Sequence, residues 1–274
     1  MLLKRGTRSN KLSVQQKIQR FCLMDNDFMM KVFEDLSCTE LILQVILERP
    51  ELKITEVFTQ KYIKNLQGRS VQLDILAIDS VGCSYNVEIQ REDNGANLSV
   101  RHSKRARYNG SVMDANTLDA GEDFEKLPQN YVIFITENDV LKKGLPIYHV
   151  DRVIREDGGL FEDGLSVVYV NNKVQDNTAL GKLMHDFVCC NPVDMYYQVL
   201  AERTRYFKES DEGRKIMGSV VDEIRDEGAL EAKEDVVLRM LEDNIISYEL
   251  IEKYFGFTLE EIKELDEFRK ESKN

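Results

Sequence analysis

Long apolar segments are missing from this chain of 274 residues, and their absence limits where the protein can reside. No segment approaches the roughly 20 uncharged apolar residues that a membrane-spanning helix needs. The beginning of the chain is basic, but no apolar run follows it, so we expect no secretory signal. The sequence therefore predicts a cytoplasmic protein with no membrane partner.

The chain also lacks the motifs of several well-known kinds of site. Its five cysteines form no Cys-x-x-Cys pair and its three histidines are dispersed, so we expect reduced thiols rather than disulfides or a zinc site. No G-x-G-x-x-G or G-x-x-x-x-G-K-[ST] loop occurs, which disfavours a nucleotide-hydrolysing motor. No Ser-His-Asp or Cys-His set can be recognised. The cysteines are Cys22, Cys38, Cys83, Cys189 and Cys190.

Acidic residues outnumber basic ones overall, but two segments of the chain are strongly basic. The formal net charge is −12, and the segment from Glu209 to the end has 20 acidic residues against 10 basic ones. Residues 1–20 contain basic residues and no acid, and residues 101–107 read Arg-His-Ser-Lys-Arg-Ala-Arg. Because the acidic excess lies mainly near the C-terminus, the net charge does not exclude nucleic-acid binding by the rest of the chain.

Hydrophobic periodicity divides the chain into three regions. We predict a basic flexible arm over residues 1–20, an α/β domain over 21–207 and an acidic helical module over 208–274. The order of elements predicts a central mixed sheet flanked by helices. A first helix at 27–48 is interrupted and recapped at 37–40. Strands are predicted at 53–59, 71–79, 84–90, 131–136 and 166–170, and further helices at 97–115, 177–187, 194–207, 211–244 and 247–271.

Two consecutive predicted strands carry acidic residues. Strand side chains alternate between faces, so Glu88 and Gln90 stand side by side on one face, which we expect at a polar edge. Asp74 lies within an apolar run, where an unpartnered charge is unfavourable. Two carboxylates on adjacent strands repel each other unless a cation lies between them, and oxygen ligands suit Mg²⁺ or Mn²⁺. These residues outline a metal-dependent phosphodiester-cleaving site. Taken alone, they also fit the solvated face of an ordinary sheet.

A series of short motifs follows this pair in order along the chain. They are Leu73-Asp74-Ile75, Val87-Glu88-Ile89-Gln90, Lys104-Arg105-Ala106-Arg107-Tyr108, Gly121, Leu127-Pro128, Tyr131-Val132-Ile133-Phe134-Ile135, Gly144-Leu145-Pro146-Ile147-Tyr148, Tyr169-Val170-Asn171 and Leu183-Met184-His185-Asp186-Phe187. In order and spacing they resemble the PD-(D/E)XK nuclease family transposases, which are related to the recombination-promoting nucleases. The likeness covers the chain from about residue 24 to its end, including the acidic helical C-terminus.

This resemblance implies a restriction-endonuclease-like core and Mg²⁺-dependent DNA cleavage. Matched by position, Asp74 and Glu88 would hold the metal, with the backbone carbonyl of Ile89 as a further ligand. Gln90 stands where the motif has Lys, and Leu73 stands where it has Pro. A Gln can orient water and donate neutral hydrogen bonds, but it cannot supply positive charge, so we expect a slower reaction.

The resemblance also implies an additional acidic residue on the first helix, beside the metal. We assign this catalytic role to Glu40. Glu34 and Asp35 lie on the same predicted helix and compete for the assignment.

The helix that follows Gln90 is expected to contact DNA. Arg101, Lys104, Arg105 and Tyr108 lie at positions i, i+3, i+4 and i+7, which places them on one helical face. Arginine forms bidentate contacts with phosphate, and Tyr108 could stack or donate a hydrogen bond. Such contacts fix position on the backbone without reading bases. The alternative is an ordinary solvated basic face, and Arg107 is expected to point elsewhere.

The expected function is a Mg²⁺-dependent DNA endonuclease of the transposase or recombination-promoting type. One alternative is a catalytically weak or inactive protein of the same fold that binds DNA or a protein partner. Another is a host-defence or toxin-like nuclease. The acidic C-terminal helices favour homodimerisation or protein binding over a DNA-reading helix-turn-helix, because like charge repels phosphate.

Overall fold

The computed structural model describes residues 12–65, 68–91, 98–243 and 246–271. The chain forms two compact units, Met1–Arg214 and Lys215–Asn274. Of the predicted basic arm, residues 1–11 lie outside the described part. Within the remainder, Val14–Ile18 forms a short helix, α1, which Ser13 and Gln16 cap reciprocally at its N-terminus.

Two helices replace the single interrupted helix that the sequence predicts near the N-terminus. They are α2 (Asn26–Phe33) and α3 (Leu36–Ile46). The predicted interruption at 37–40 is wrong, since the chain leaves the helix earlier, at Glu34 and Asp35. Asp35 is the N-cap of α3, and its carboxylate accepts hydrogen bonds from the backbone N–H groups of Ser37 and Cys38. A short acidic side chain at this position satisfies helix donors that would otherwise lack partners.

A mixed sheet forms the centre of the first unit, as the sequence predicts. Its strands are β1 (Ile54–Ile63), β2 (Val71–Asp79), β3 (Ser84–Gln90), β4 (Asn130–Thr136), β5 (Ile147–Val150) and β6 (Leu165–Asn171). These six strands lie in the order β1-β2-β3-β4-β6-β5. β3, β4 and β6 run parallel to one another, whereas β1–β2, β2–β3 and β5–β6 are antiparallel pairs. Only the short edge strand β5 was not predicted.

Helices flank the sheet. They are α4 (Leu98–Ala115), α5 (Ala179–Val188) and α6 (Gln198–Glu209), together with α2 and α3. Buried residues of α4 pack against β4 and β6, where Ala106 and Met113 share one core cluster with Phe134. Gly110 lets α4 approach β6 closely, since a Cβ atom there would lie 2.8 Å from the Leu165 side chain. Polar side chains of α4 lie over β3, where Asn109 donates to the Asn86 side-chain oxygen at 3.1 Å and Arg105 pairs with Glu88.

The second unit is helical, as predicted. Its helices are most of α7 (Asp211–Glu242), α8 (Tyr248–Phe255) and α9 (Leu259–Glu271). Thr258 and Glu261 form the predicted capping box at the start of α9: Thr258 N–H donates to the Glu261 carboxylate at 2.7 Å, and Glu261 N–H to the Thr258 hydroxyl at 3.3 Å. Across the described ranges, we find no helix with the length and apolar character needed to traverse a membrane.

Candidate functional site

Asp74 and Glu88 are brought together by the antiparallel pairing of β2 and β3. Ile75 lies opposite Val87, and continuing this register by one residue places Asp74 opposite Glu88. Residues directly opposite in an antiparallel pair point to the same face of the sheet. The two carboxylates predicted to form a pair therefore share the face that α4 covers.

Glu88 is fully buried beneath α4. One carboxylate oxygen forms an ion pair with the Arg105 guanidinium, which is partly exposed. The other accepts hydrogen bonds from the side-chain amides of Asn86, at 2.9 Å, and Asn109, at 3.4 Å. The predicted polar-edge position is therefore wrong for Glu88. β3 lies between β2 and β4 inside the sheet, and α4 covers the Glu88 side chain.

The side chains of Asp74 and Gln90 both form hydrogen bonds with the backbone of Ile89. Ile89 N–H donates to the Asp74 carboxylate at 3.0 Å, and the Gln90 side-chain amide donates to the Ile89 carbonyl at 3.2 Å. Both side chains are partly exposed, in contrast to Glu88. Four residues that the sequence predicts at the centre of the site therefore lie together: Asp74, Glu88, Ile89 and Gln90.

Burial raises the pKa values of both carboxyl groups. The pKa of Glu88 rises to about 7, with burial as the larger cause and repulsion from the neighbouring Asp74 as the second. Burial also raises the pKa of Asp74, against the opposing effects of the Ile89 N–H group and the Arg105 guanidinium. Arg105 therefore only partly compensates the negative charge of the pair, and a further cation would stabilise the doubly ionised state.

Glu40 does not join this pair. Its carboxylate accepts a hydrogen bond from the Ile54 N–H group at 3.1 Å and pairs with Lys53 at 2.7 Å. Ile54 lies opposite Asp79, at the other end of β2 from Asp74. At about 3.3 Å per residue, five residues of strand separate the two ends by about 16 Å. Glu40 instead fixes the start of β1 against α3.

The competing residues on the same helical segment are also occupied elsewhere. Glu34 pairs with Lys31 at 2.7 Å, and Asp35 caps α3. Within the residues that the structure describes, no group of three or more His, Cys, Asp or Glu side chains is arranged to hold a metal ion. Any metal at the Asp74–Glu88 pair would therefore rely on backbone oxygen and water for its remaining ligands.

A basic groove of about 670 Å³ lies between α4 and the turn that joins β1 to β2. Lys104, Arg105 and Tyr108 line it together, which agrees with their predicted common face. Arg107 also lines this groove, so the expectation that it points elsewhere is wrong. The side chain of Arg101 lies outside the described part of the structure, although its backbone belongs to α4. The full lining is Arg69, Ser70, Val71, Gln72, Lys104, Arg105, Arg107, Tyr108, Asn109 and Ser111.

The Tyr108 hydroxyl fixes one wall of this groove. It donates to the Arg69 carbonyl and accepts a hydrogen bond from the Asn65 side-chain amide at 3.2 Å. Both partners belong to the segment between β1 and β2. Tyr108 therefore joins α4 to that segment, and its hydroxyl is engaged within the protein instead of being directed at a ligand.

Sequence reasoning missed three polar residues of the site. Asn109 follows Arg105 by four residues, so helical periodicity could have extended the face to include it. Asn86 shares a strand face with Glu88, and this alternation was also readable. Arg69 lies in the turn between β1 and β2, and only the fold brings it to α4.

Comparisons of this chain with protein-family models, with curated proteins and with solved structures found no significant match.

Proposed function

We propose that this protein is a Mg²⁺-dependent DNA endonuclease with a restriction-endonuclease-like core, of the nuclease family transposase type. One observation carries the proposal: a pair of carboxylates, Asp74 and Glu88, faces one side of adjacent strands beside a groove lined by basic side chains. Hydrolysis of a phosphodiester needs negative ligands for a metal and positive groups for the phosphate within one site. The mixed sheet and its flanking helices are compatible with this fold.

The residues present fit Mg²⁺. Asp74 and Glu88 would supply carboxylate oxygens and Ile89 its backbone carbonyl, which Gln90 already contacts. Mg²⁺ commonly uses one or two carboxylates and keeps several waters, so a larger acidic cluster is not required, and Mn²⁺ takes similar ligands. When bound there, the metal would lower the pKa of a coordinated water and neutralise charge on the scissile phosphate.

The basic side chains of the groove would hold the DNA backbone. Lys104 and Arg107 are exposed and can reach phosphates, and Arg69 approaches from the opposite wall. We retain Arg101 as a further DNA contact because it lies one turn before Arg105 on α4. Tyr108 contributes by fixing the two walls of the groove relative to each other, since its hydroxyl is bound to the opposite wall.

Arg105 compensates for the Gln at position 90. Gln90 can orient a water molecule, but it cannot stabilise negative charge as the Lys of the motif does. The Arg105 guanidinium lies beside Glu88 and also lines the groove, so it can supply the missing positive charge where the carboxylates meet the DNA. Glu40 has no part in this proposal, because its carboxylate fixes the start of β1.

Supercoiled plasmid incubated with Mg²⁺, Mn²⁺ or EDTA tests the proposal. We expect metal-dependent nicking that Asp74→Asn and Glu88→Gln both abolish, because each removes one ligand charge with little change in shape. Glu40→Gln is the matched control and should leave nicking unchanged. Nicking that survives both site substitutions would overturn the assignment of Asp74 and Glu88.

A second candidate function is DNA or protein binding without cleavage. The observation that favours it is the complete burial of Glu88 together with its ion pair to Arg105, which already supplies a cation at this position. Retained plasmid binding without nicking in either metal would support this candidate. Gln90→Lys would then show whether the absent Lys alone prevents catalysis.

A further inference from the structure

The loop that joins β5 to β6, residues 151–164, exposes large apolar side chains to solvent. Val153, Ile154, Leu160 and Phe161 are each between 40% and 60% exposed, and Val150 at the end of β5 is 44% exposed. Single exposed apolar residues are ordinary, but a concentration within one short segment marks an interaction surface. We refer to residues 151–164 as the β5–β6 loop.

This loop has a defined backbone. Val153 and Leu160 form an antiparallel bridge, and Phe161 N–H donates to the Arg152 carbonyl at 2.9 Å. An ion pair between Arg152 and Asp163 joins the two sides of the loop. The apolar side chains are therefore held outward by a hydrogen-bonded segment, which lowers the entropic cost of burying them against a partner.

An open cavity of about 280 Å³ lies next to the loop, between α4 and strands β5 and β6. Most of its walls are apolar, and Arg107 stands among the polar residues that complete them. Its volume lies near the lower end of the roughly 300–1,000 Å³ range of ligand pockets. The lining of the cavity includes Ala106, Arg107, Val140, Leu141, Val167 and Tyr169.

The loop and the cavity both expose apolar side chains, and their charges are of opposite sign. The β5–β6 loop contains five acidic residues and two arginines, whereas α4 presents the basic Arg107 at the cavity. Asp151 and Arg152 of the loop also line the cavity, and their charges offset each other. An acidic, apolar protrusion thus lies beside an apolar depression with a basic flank. A surface that carries both complementary features can pair with itself about a two-fold axis, each copy supplying one protrusion and one depression.

We propose that two copies of this chain associate reciprocally, with the β5–β6 loop of each copy inserted through Phe161 and Leu160 into the α4–β5–β6 cavity of the other. Stable dimers bury about 800 Å² per partner, and a single loop with its apolar tip supplies the core of such an interface rather than the whole of it. We therefore expect a weak, concentration-dependent dimer. This proposal does not depend on nuclease activity, and it places dimerisation on the first unit instead of the C-terminal helices.

Sedimentation velocity of the full chain over a range of concentrations tests the association. We expect a monomer–dimer equilibrium whose association constant falls about ten-fold or more in Phe161→Ser, because each copy loses a buried aromatic side chain. Phe124→Ser is the matched control: Phe124 is 80% exposed but lies outside both loop and cavity, and its substitution should leave the equilibrium unchanged. A wild-type chain that stays monomeric, or a dimer that Phe161→Ser leaves intact, would overturn the proposal.

A mixing experiment separates loop-into-cavity pairing from contact between two loops. Arg107→Glu places a negative charge beside the cavity and should weaken the dimer by repelling the acidic loop. We expect each substitution to remove the core of the contact in which it takes part, so that neither variant alone keeps a loop–cavity contact. The heterodimer of Arg107→Glu with Phe161→Ser keeps one such contact, so the mixture should associate more strongly than either variant alone. Equal association of the mixture and the separate variants would contradict reciprocal insertion. Circular dichroism of each variant checks that the fold is retained.

Discussion

Replacing Glu88 by Gln should remove a loss of stability that the folded protein undergoes as the pH rises through about 7. The pKa of a glutamate carboxyl is ordinarily 4.5, and burial with repulsion from Asp74 raises that of Glu88 to about 7. Each unit of pKa difference corresponds to about 1.4 kcal/mol, so full ionisation of Glu88 in the folded state opposes folding by about 3 kcal/mol. Gln keeps the shape and the acceptor oxygen for Asn86 and Asn109 but does not ionise. Its NH2 group replaces the oxygen that accepts from Arg105, and the cost of that lost hydrogen bond does not change between pH 5 and pH 8.

The sign follows from proton binding. Because the pKa of Glu88 is higher in the folded than in the unfolded state, the folded protein binds more protons between about pH 4.5 and 7. The stabilisation that the protonated Glu88 carboxyl gives the folded state is complete below pH 4.5 and is lost as the pH rises through about 7. The wild-type free energy of unfolding should therefore fall from pH 5 to pH 8 relative to that of Glu88→Gln.

Urea unfolding of both proteins at pH 5 and pH 8, followed by circular dichroism, measures this difference. We expect the variant to gain about 2–3 kcal/mol on the wild type between the two pH values. Added Mg²⁺ should stabilise the wild type at pH 8 and have less effect on the variant, which has lost a ligand charge. Parallel pH dependences of the two proteins would refute the reasoning, because they would show that Glu88 does not titrate in this range. Glu125→Gln, at an exposed position, is the control for loss of one surface carboxylate.

Three further predictions concern other parts of the chain. Gly181→Ala should destabilise the first unit by about 1–3 kcal/mol in urea unfolding, because the added Cβ would lie 2.5 Å from backbone atoms of Asp176. An unchanged midpoint would contradict the close packing of the start of α5 against Asp176. Lys104→Glu should weaken DNA binding and reduce the steepness of log affinity against log salt concentration by about one or more. Fluorescence anisotropy with duplexes of unrelated sequence measures both quantities. A loss of affinity confined to one sequence would argue against contact with the DNA backbone. Thr258→Ala should reduce the stability of the second unit by about 1 kcal/mol, because α9 loses its capping box. Hydrogen exchange measures this: the exchange rates of α9 amides should increase, whereas those of amides in the sheet should not.

Arg105 connects the two halves of the proposed site. It forms an ion pair with the buried Glu88 and also lines the groove that is proposed to hold DNA. A substitution at Arg105 would therefore alter both the charge balance of the carboxylates and phosphate binding. For this reason Lys104, which is exposed, is the cleaner position at which to test DNA contact.

Local patterns in the sequence determined most secondary structure. Alternating apolar residues fixed β2 and β3, and the same alternation put Glu88 and Gln90 on one face. The capping box of Thr258 and Glu261 was readable because cap residues act within one helical turn. The face of α4 that carries Lys104, Arg105 and Tyr108 followed from helical spacing alone.

Tertiary structure decided which of these residues meet and which are buried. Glu88 lies under a helix rather than at an edge because β3 pairs on both sides and α4 covers it, and neither fact is contained in the strand pattern. Glu40, on α3, lies beside the end of β2 that is about 16 Å from Asp74, because α3 packs against the start of β1. Arg69 lines the same groove as α4 because the turn between β1 and β2 lies beside that helix. Local sequence specifies which way a side chain points within its element, but its neighbours and its exposure depend on contacts between elements that are distant in the chain.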